Sequence, residues 1–181
     1  MGEAFPVRRI VSGELASAER AQLADLFAAA WPAEEFSADD LDHAIGGVHW
    51  VAEVGGRIVA HASVVERLLE ADGRPMRTGY VEAVATLPLW RRRGLATRLM
   101  EAADEHIGAG FDLGALSTDV HGLYERLGWE RWRGPTFVRT ADGETRTEGE
   151  DDGIMILRTP RTPALALTEA LSCEWRAGDV W

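Results

Sequence analysis

The run Trp90-Arg91-Arg92-Arg93-Gly94-Leu95-Ala96 sets three guanidinium groups beside a glycine and a small residue, where a helix is expected to begin. Backbone N–H groups in the first turn of a helix lack internal partners and point at a common spot, so such a turn suits an anion, above all a phosphate. Gly94 and Ala96 would let a pyrophosphate approach the backbone closely, and the arginines add charge and donors. Three arginines in a row also describe an ordinary solvated basic patch, so spacing alone does not choose between the two.

Other reactive types are sparse. His43, His49, His61, His106 and His121 show no zinc-ligand spacing, His43 and His61 read as core or surface residues, and no metal is expected. The single cysteine, Cys173, cannot close an internal disulfide and has no neighbour in sequence that would activate a thiolate. All 19 basic residues are arginine, which excludes a Walker-A lysine, a pyridoxal Schiff base and any lysine nucleophile. Against them stand 30 acidic residues, a net charge of −11 that opposes nucleic acid and anionic lipid and fits a cationic partner better, although net charge alone reads first as a surface that keeps the protein in solution. Between Ala141 and Gly153, Asp142, Glu144, Glu148, Glu150, Asp151 and Asp152 face only Arg146, a composition that predicts a solvated loop. The N-terminal residues lack the apolar run of a signal peptide, and no stretch approaches the roughly 18 apolar residues of a membrane span, so a cytoplasmic protein is expected.

The elements that must carry these groups can be read from periodicity. Val7 to Val11 reads as a strand, and Ser17 to Trp31 as a helix with Leu23, Leu26 and Phe27 on one face. Ser37 with Asp40 has the form of a helix cap, and a short helix carries Leu41 and Ile45 to Gly46-Gly47. His49 to Val54 and Arg57 to Glu66 flank a Gly55-Gly56 hairpin turn, and Asp72-Gly73 leads into a strand over Met76 to Thr86. Leu95, Leu99, Ala103 and Ile107 make an apolar helix face; a strand over Leu113 to Leu116, a helix over Val120 to Leu127, and strands at Trp129 to Arg133 and Ile154 to Thr159 follow. The length of 181 residues suits one domain over 1–181, and no repeat or linker divides it.

The R-x-x-G-x-A turn after a strand, followed later by Leu123-Tyr124-Glu125-Arg126-Leu127-Gly128-Trp129, resembles the acetyl-CoA site of the GCN5-related N-acetyltransferases (GNATs). Gly79-Tyr80-Val81-Glu82-Ala83-Val84-Ala85, Leu113-Gly114-Ala115-Leu116-Ser117, Gly134-Pro135-Thr136 and the segment Cys173 to Trp181 resemble one branch, the aminoglycoside 2′-N-acetyltransferases. The resemblance implies an α/β fold with a mixed, splayed central sheet and flanking helices. It further implies acetyl-CoA in the splay between the fourth and fifth strands, a substrate site to which residues 165–181 contribute, and a homodimer.

The residue roles below are likewise what the resemblance implies. Backbone groups of Val84, Ala85 and Thr86 pair with the pantetheine arm, and the N–H of Ala85 or a neighbour polarises the thioester oxygen. Arg91, Arg92, Arg93, Gly94, Leu95 and Ala96 hold the pyrophosphate. Tyr124 protonates the departing thiolate, and Glu82 takes the amine proton, directly or through water. Glu35, in place of the family's aspartate, joins Ala83, Ser117, Asp151 or Asp152, Asp179 and the Trp181 carboxylate around a cationic aminoglycoside. Transfer is direct, which leaves Cys173 without a covalent role. The competing readings are a GNAT for another small cationic amine or amino-sugar, and a non-catalytic acyl-CoA-binding module.

Overall fold

The computed structural model describes residues 5–32 and 36–181. In chain order its elements are β1 (Val7–Val11), α1 (Ser17–Ala30), α2 (Ala38–Ala44), β2 (Val48–Val54), β3 (Arg57–Ala71) and β4 (Arg74–Thr86). They continue with α3 (Leu95–Gly110), β5 (Leu113–Ser117), α4 (His121–Arg126) and β6 (Glu130–Arg131). The last four are β7 (Thr136–Thr140), β8 (Gly143–Arg146), β9 (Ile154–Arg158) and β10 (Leu171–Glu174). No helix among the described residues is long and apolar enough to cross a membrane.

The chain forms two compact units, one made of the residues up to Val65 with Val81–Ala103, the other of Glu66–Tyr80 with Asp104–Trp181. The long strands β3 and β4 give a stretch to each. In the first unit β2 pairs antiparallel with β1 and with β3, from Val48↔Val64 to Val54↔Arg57. α1 lays Leu23, Leu26 and Phe27 into a core shared with Ile10, Val51, Ile58 and Ala85, so the helical spacing read in the sequence is the face that is buried. α2 is capped as the sequence predicts: the Ser37 hydroxyl accepts from the Asp40 N–H at 3.2 Å, and the Asp40 carboxylate accepts from the Ser37 N–H at 2.7 Å.

In the second unit β5 runs parallel to β4 over Thr78–Tyr80 and antiparallel to β9, while β10 lies parallel to β7 and antiparallel to β3. The sheet is therefore mixed, as expected. Two backbone approaches account for glycines in the family-like segments. A Cβ on Gly79 would stand 2.8 Å from the Ile107 side chain, where the end of α3 packs on β4, and one on Gly134 would stand 1.8 Å from the Glu169 carbonyl oxygen.

The acidic stretch corrects the sequence reading. Residues 141–153 are not a plain loop: β7 and β8 form a hairpin paired from Phe137↔Arg146 to Thr140↔Gly143, and a short 3-10 turn at Glu148–Glu150 follows. Asp142 and Glu144 sit on this hairpin and Glu148, Glu150, Asp151 and Asp152 on the turn after it, and the exposed residues of β8 resemble a solvated coil in composition alone. β10 was also missed, because Leu171–Glu174 is too short to show a period.

Candidate functional site

The helix start at Leu95 is built as the arginine-rich run predicts. Gly94 adopts φ +75°, a left-handed conformation that costs an ordinary residue about 1–2 kcal/mol, and its carbonyl takes the first helical bond from the Arg98 N–H at 3.2 Å. No atom lies within 4 Å of where a Gly94 Cβ would stand, so the backbone is bare on its outer side. A cleft of about 300 Å³ opens there, lined by Thr86, Trp90, Arg91, Arg92, Gly94, Leu95, Ala96 and Thr97. Arg91 is tethered by its Nε–H to the Thr86 carbonyl at 3.2 Å. Arg93 instead stacks on the Trp90 ring, 4.7 Å from its centre, and does not line the cleft. Room, N–H groups and cationic side chains together fit a pyrophosphate.

The same unit holds Glu82, Ala83, Val84, Ala85 and Thr86 on β4. Glu82, Ala83 and Val84 are half-buried and Ala85 is buried. Ala83 has φ +47°, unusual for a residue with a Cβ. Its carbonyl accepts from His61 Nδ1 at 2.8 Å.

Ser117, Tyr124, Asp151, Asp152, Asp179 and Trp181 belong to the second unit. Tyr124, on α4, is only 7% exposed and makes an edge contact with Trp129. Burial pushes its hydroxyl up to about 12, a rise opposed by a hydrogen bond with Thr118 and reinforced by the Asp104 charge, so at neutral pH it is a protonated donor.

The acidic residues divide into two groups. Asp151 is bound to Arg146 at two points, Nη1–Oδ1 at 2.7 Å and a closer Nη2–Oδ2 contact. It also accepts from the Thr136 N–H at 3.0 Å and the Thr136 hydroxyl at 2.9 Å. The Arg146 guanidinium chiefly, and then the Thr136 bonds, pull its carboxyl down to about 2. Thr147 extends this network by donating to the Thr136 hydroxyl at 2.8 Å while accepting the Trp181 indole N–H at 2.9 Å. Trp181 is 2% exposed, so its ring seals the network and presents no open aromatic surface. In the other group Asp152 is exposed and Ser117 donates to Glu150 at 3.4 Å. Burial, then the nearby Asp179 charge, raises the Glu150 carboxyl above its ordinary value.

Glu150 is the residue that sequence reasoning passed over. It lies inside the acidic run, and nothing in its spacing separates it from its exposed neighbours. Glu35 lies outside the described residues. Cys173 is buried, donates to the Val180 carbonyl at 3.2 Å, and is pushed up to about 11 by burial, so it is not a thiolate at neutral pH.

Comparison with known proteins places these features in context. Residues 46–131 match the acetyltransferase (GNAT) domain. A curated aminoglycoside 2′-N-acetyltransferase from Mycolicibacterium fortuitum is 42% identical over 151 residues, covering 81% of this chain and 77% of that protein. Among solved structures, a GNAT family acetyltransferase from Brucella melitensis in complex with acetyl-CoA superposes with a TM-score of 0.59 at 15% identity, covering 96% of this chain and 98% of that one. The GCN5-related N-acetyltransferase from Kribbella flavida has a TM-score of 0.59 at 20% identity over 72% of this chain, which spans about a third (34%) of that protein.

Proposed function

We infer an activity from one premise: the chain belongs to the aminoglycoside 2′-N-acetyltransferase family of GNAT acetyltransferases. We propose that it transfers the acetyl group of acetyl-CoA to the 2′-amine of aminoglycosides by direct attack in a ternary complex, and so confers resistance. The observation that carries this reading is the 42% identity to the Mycolicibacterium fortuitum enzyme, sustained over most of both chains.

Acetyl-CoA, when bound, supplies an acyl thioester already activated for attack. The chain's own residues do the rest. Backbone N–H groups of Gly94, Leu95 and Ala96 hold the pyrophosphate, with Arg91 and Arg92 at the cleft and Arg93 adding charge beside Trp90. Val84, Ala85 and Thr86 offer the edge of β4 to the pantetheine arm as a strand would. Glu82 accepts the proton of the attacking amine, and the Tyr124 hydroxyl, held protonated by burial, delivers one to the leaving thiolate. A base is required because carboxylates that attract a polycation also hold its amines protonated.

Attraction and orientation fall to Glu35, Ala83, Ser117, Asp152, Asp179 and Trp181, joined by Glu150. The bidentate Arg146 pair supports a structural part for Asp151 and leaves Asp152 as the ligand. The proposal treats 1–181 as one domain whose residues 165–181 serve the substrate, in a cytoplasmic homodimer.

Regiochemistry tests it. Kanamycin B carries an amine at carbon 2′ and kanamycin A a hydroxyl, a far weaker nucleophile. The enzyme should acetylate kanamycin B at 2′ and leave kanamycin A unmodified, although both bind through their other ammonium groups. Acetylation of kanamycin A, or of kanamycin B elsewhere, located by NMR, would refute the reading.

A further inference from the structure

Beneath β4, in the first unit, two histidines form a buried chain of hydrogen bonds that the proposed chemistry does not use. The Ser12 hydroxyl lies 3.0 Å from His49 Nε2, His49 Nδ1 lies 2.9 Å from His61 Nε2, and His61 Nδ1 lies 2.8 Å from the Ala83 carbonyl oxygen. Both rings are fully buried. Burial lowers His49 to about 4 and His61 to about 3, so both are neutral at the pH of the cell.

A carbonyl oxygen can only accept, and this fixes the proton of His61. His61 must carry its proton on Nδ1, which leaves Nε2 as an acceptor facing His49 Nδ1, while the Ser12 hydroxyl donates to the Gly47 carbonyl at 2.7 Å and to that of Ile45. The chain of bonds ends on a backbone carbonyl two bonds from the Val84 nitrogen.

The carbonyls of Glu82 and Ala83 do not alternate as they would along a regular strand. Along a strand, successive carbonyls point to opposite edges. Here the Ala83 oxygen meets His61, and the oxygen before it, that of Glu82, stands 3.3 Å from the Ser63 hydroxyl. His61 and Ser63 are alternate residues of β3, so two successive carbonyls turn toward side chains on one face of that strand, with Ala83 at φ +47° as the hinge. A trans peptide holds its N–H opposite its C=O. The N–H groups of Ala83 and Val84 therefore both point away from the Ser63 and His61 side chains.

We propose that His61, itself held by His49, is a positioning residue for acetyl transfer: by gripping the Ala83 carbonyl it keeps the 83–84 peptide turned so that the Val84 N–H faces the thioester oxygen of the acetyl donor. The proposal rests on the acetyl-CoA reading above. It explains why an apolar core holds two neutral histidines and why an alanine adopts a left-handed conformation in a strand. Among the donors the sequence left open, Ala85 or a neighbour, it selects Val84. A fixed donor of this kind acts on the rate of transfer and not on the affinity for the donor molecule.

The test uses the full chain as wild type, His61→Phe and His61→Asn. Phenylalanine keeps a planar ring without a donor, and asparagine places an amide N–H where Nδ1 stood. In the ligand-free wild type, nitrogen-15 NMR should find a slowly exchanging proton on His61 Nδ1 and none on Nε2; the opposite tautomer overturns the proposal. With acetyl-CoA carbon-13-labelled at the thioester carbonyl, isotope-edited infrared should show the carbonyl stretch of wild type displaced to lower frequency than in water. His61→Phe should return it most of the way and His61→Asn should restore it. In turnover, His61→Phe should lose roughly 10- to 100-fold in kcat with KM for acetyl-CoA within about twofold, and His61→Asn should recover most of the loss. A folded His61→Phe with wild-type stretch and kcat overturns the inference. If His61→Phe does not fold, a His61→Asn stretch at the value in water overturns it instead. A wild type that polarises acetyl-CoA yet acetylates no aminoglycoside would sink the substrate reading and leave this one standing.

Discussion

The two buried histidines also set how stability should respond to acid. An unfolded histidine titrates near 6.5, whereas His49 and His61 are lowered in the fold to about 4 and about 3, by burial first; a backbone hydrogen bond opposes the shift in each, and the Arg20 charge adds to that of His49. A depressed histidine means the unfolded chain binds more protons, so stability is full above about 6.5 and falls as pH drops toward 4. Near pH 5 unfolding should take up about two extra protons through this pair, a slope of about 2–3 kcal/mol per pH unit. Urea titrations at several pH values read that slope directly, and His61→Phe should remove about one proton of it. An unchanged slope in the folded variant would mean that His61 is already charged in the native state. None of this was legible in the sequence, where His61 carried no signal beyond its place in an apolar strand and was read as a core or surface residue. Burial came from the fold, and the place of the His61 proton came from a carbonyl 22 residues away.

Whole elements tell a different story. The turn into α3 could be read from its residues, since a left-handed glycine before a capped apolar face is a local matter, and the structure has Gly94 at φ +75° with open space above it. Gly94→Glu should therefore be tolerated by the fold, apart from the local conformational strain, while its carboxylate occupies the place proposed for the pyrophosphate. Calorimetry should show acetyl-CoA affinity down by at least about tenfold, the lost charge-assisted bonds accounting for about 1.5–3 kcal/mol, in a variant that still folds and loses only the about 1–2 kcal/mol of stability that the left-handed position costs. Unchanged affinity would remove the phosphate assignment. The β7–β8 hairpin shows the opposite case. Its residues resemble a solvated loop, yet Arg146 is drawn to Asp151 just beyond it and the Trp181 indole, distant in sequence, closes over Thr147. Hydrophobic period, the only local signal for a strand, is absent from Gly143–Arg146, so sequence reading had no means to find it.

For the molecule entire, the net charge of −11 is a long-range field, and its sign favours a polycationic substrate over an anionic donor. Raising ionic strength from about 20 to 300 mM shortens the screening length roughly fourfold. KM for a multiply charged aminoglycoside should then rise several-fold at constant kcat, whereas KM for acetyl-CoA should not rise with it. Equal salt dependence of the two would mean that local contacts alone govern substrate capture. The order of the residues was enough to decide the charge, the absence of lysine chemistry, the helices with an apolar face, the turn at Gly94 and, through the Leu123–Trp129 and Cys173–Trp181 segments, the family. These are properties of composition or of neighbours along the chain. Folding decided which carboxylate is neutralised by an arginine, that a half-buried Glu150 meets Ser117, that Trp181 faces inward, and that His61 grips the Ala83 carbonyl. Each of these depends on side chains from separate elements meeting in a medium that excludes water, where a charge or proton is held by what surrounds it and not by what precedes it in the chain.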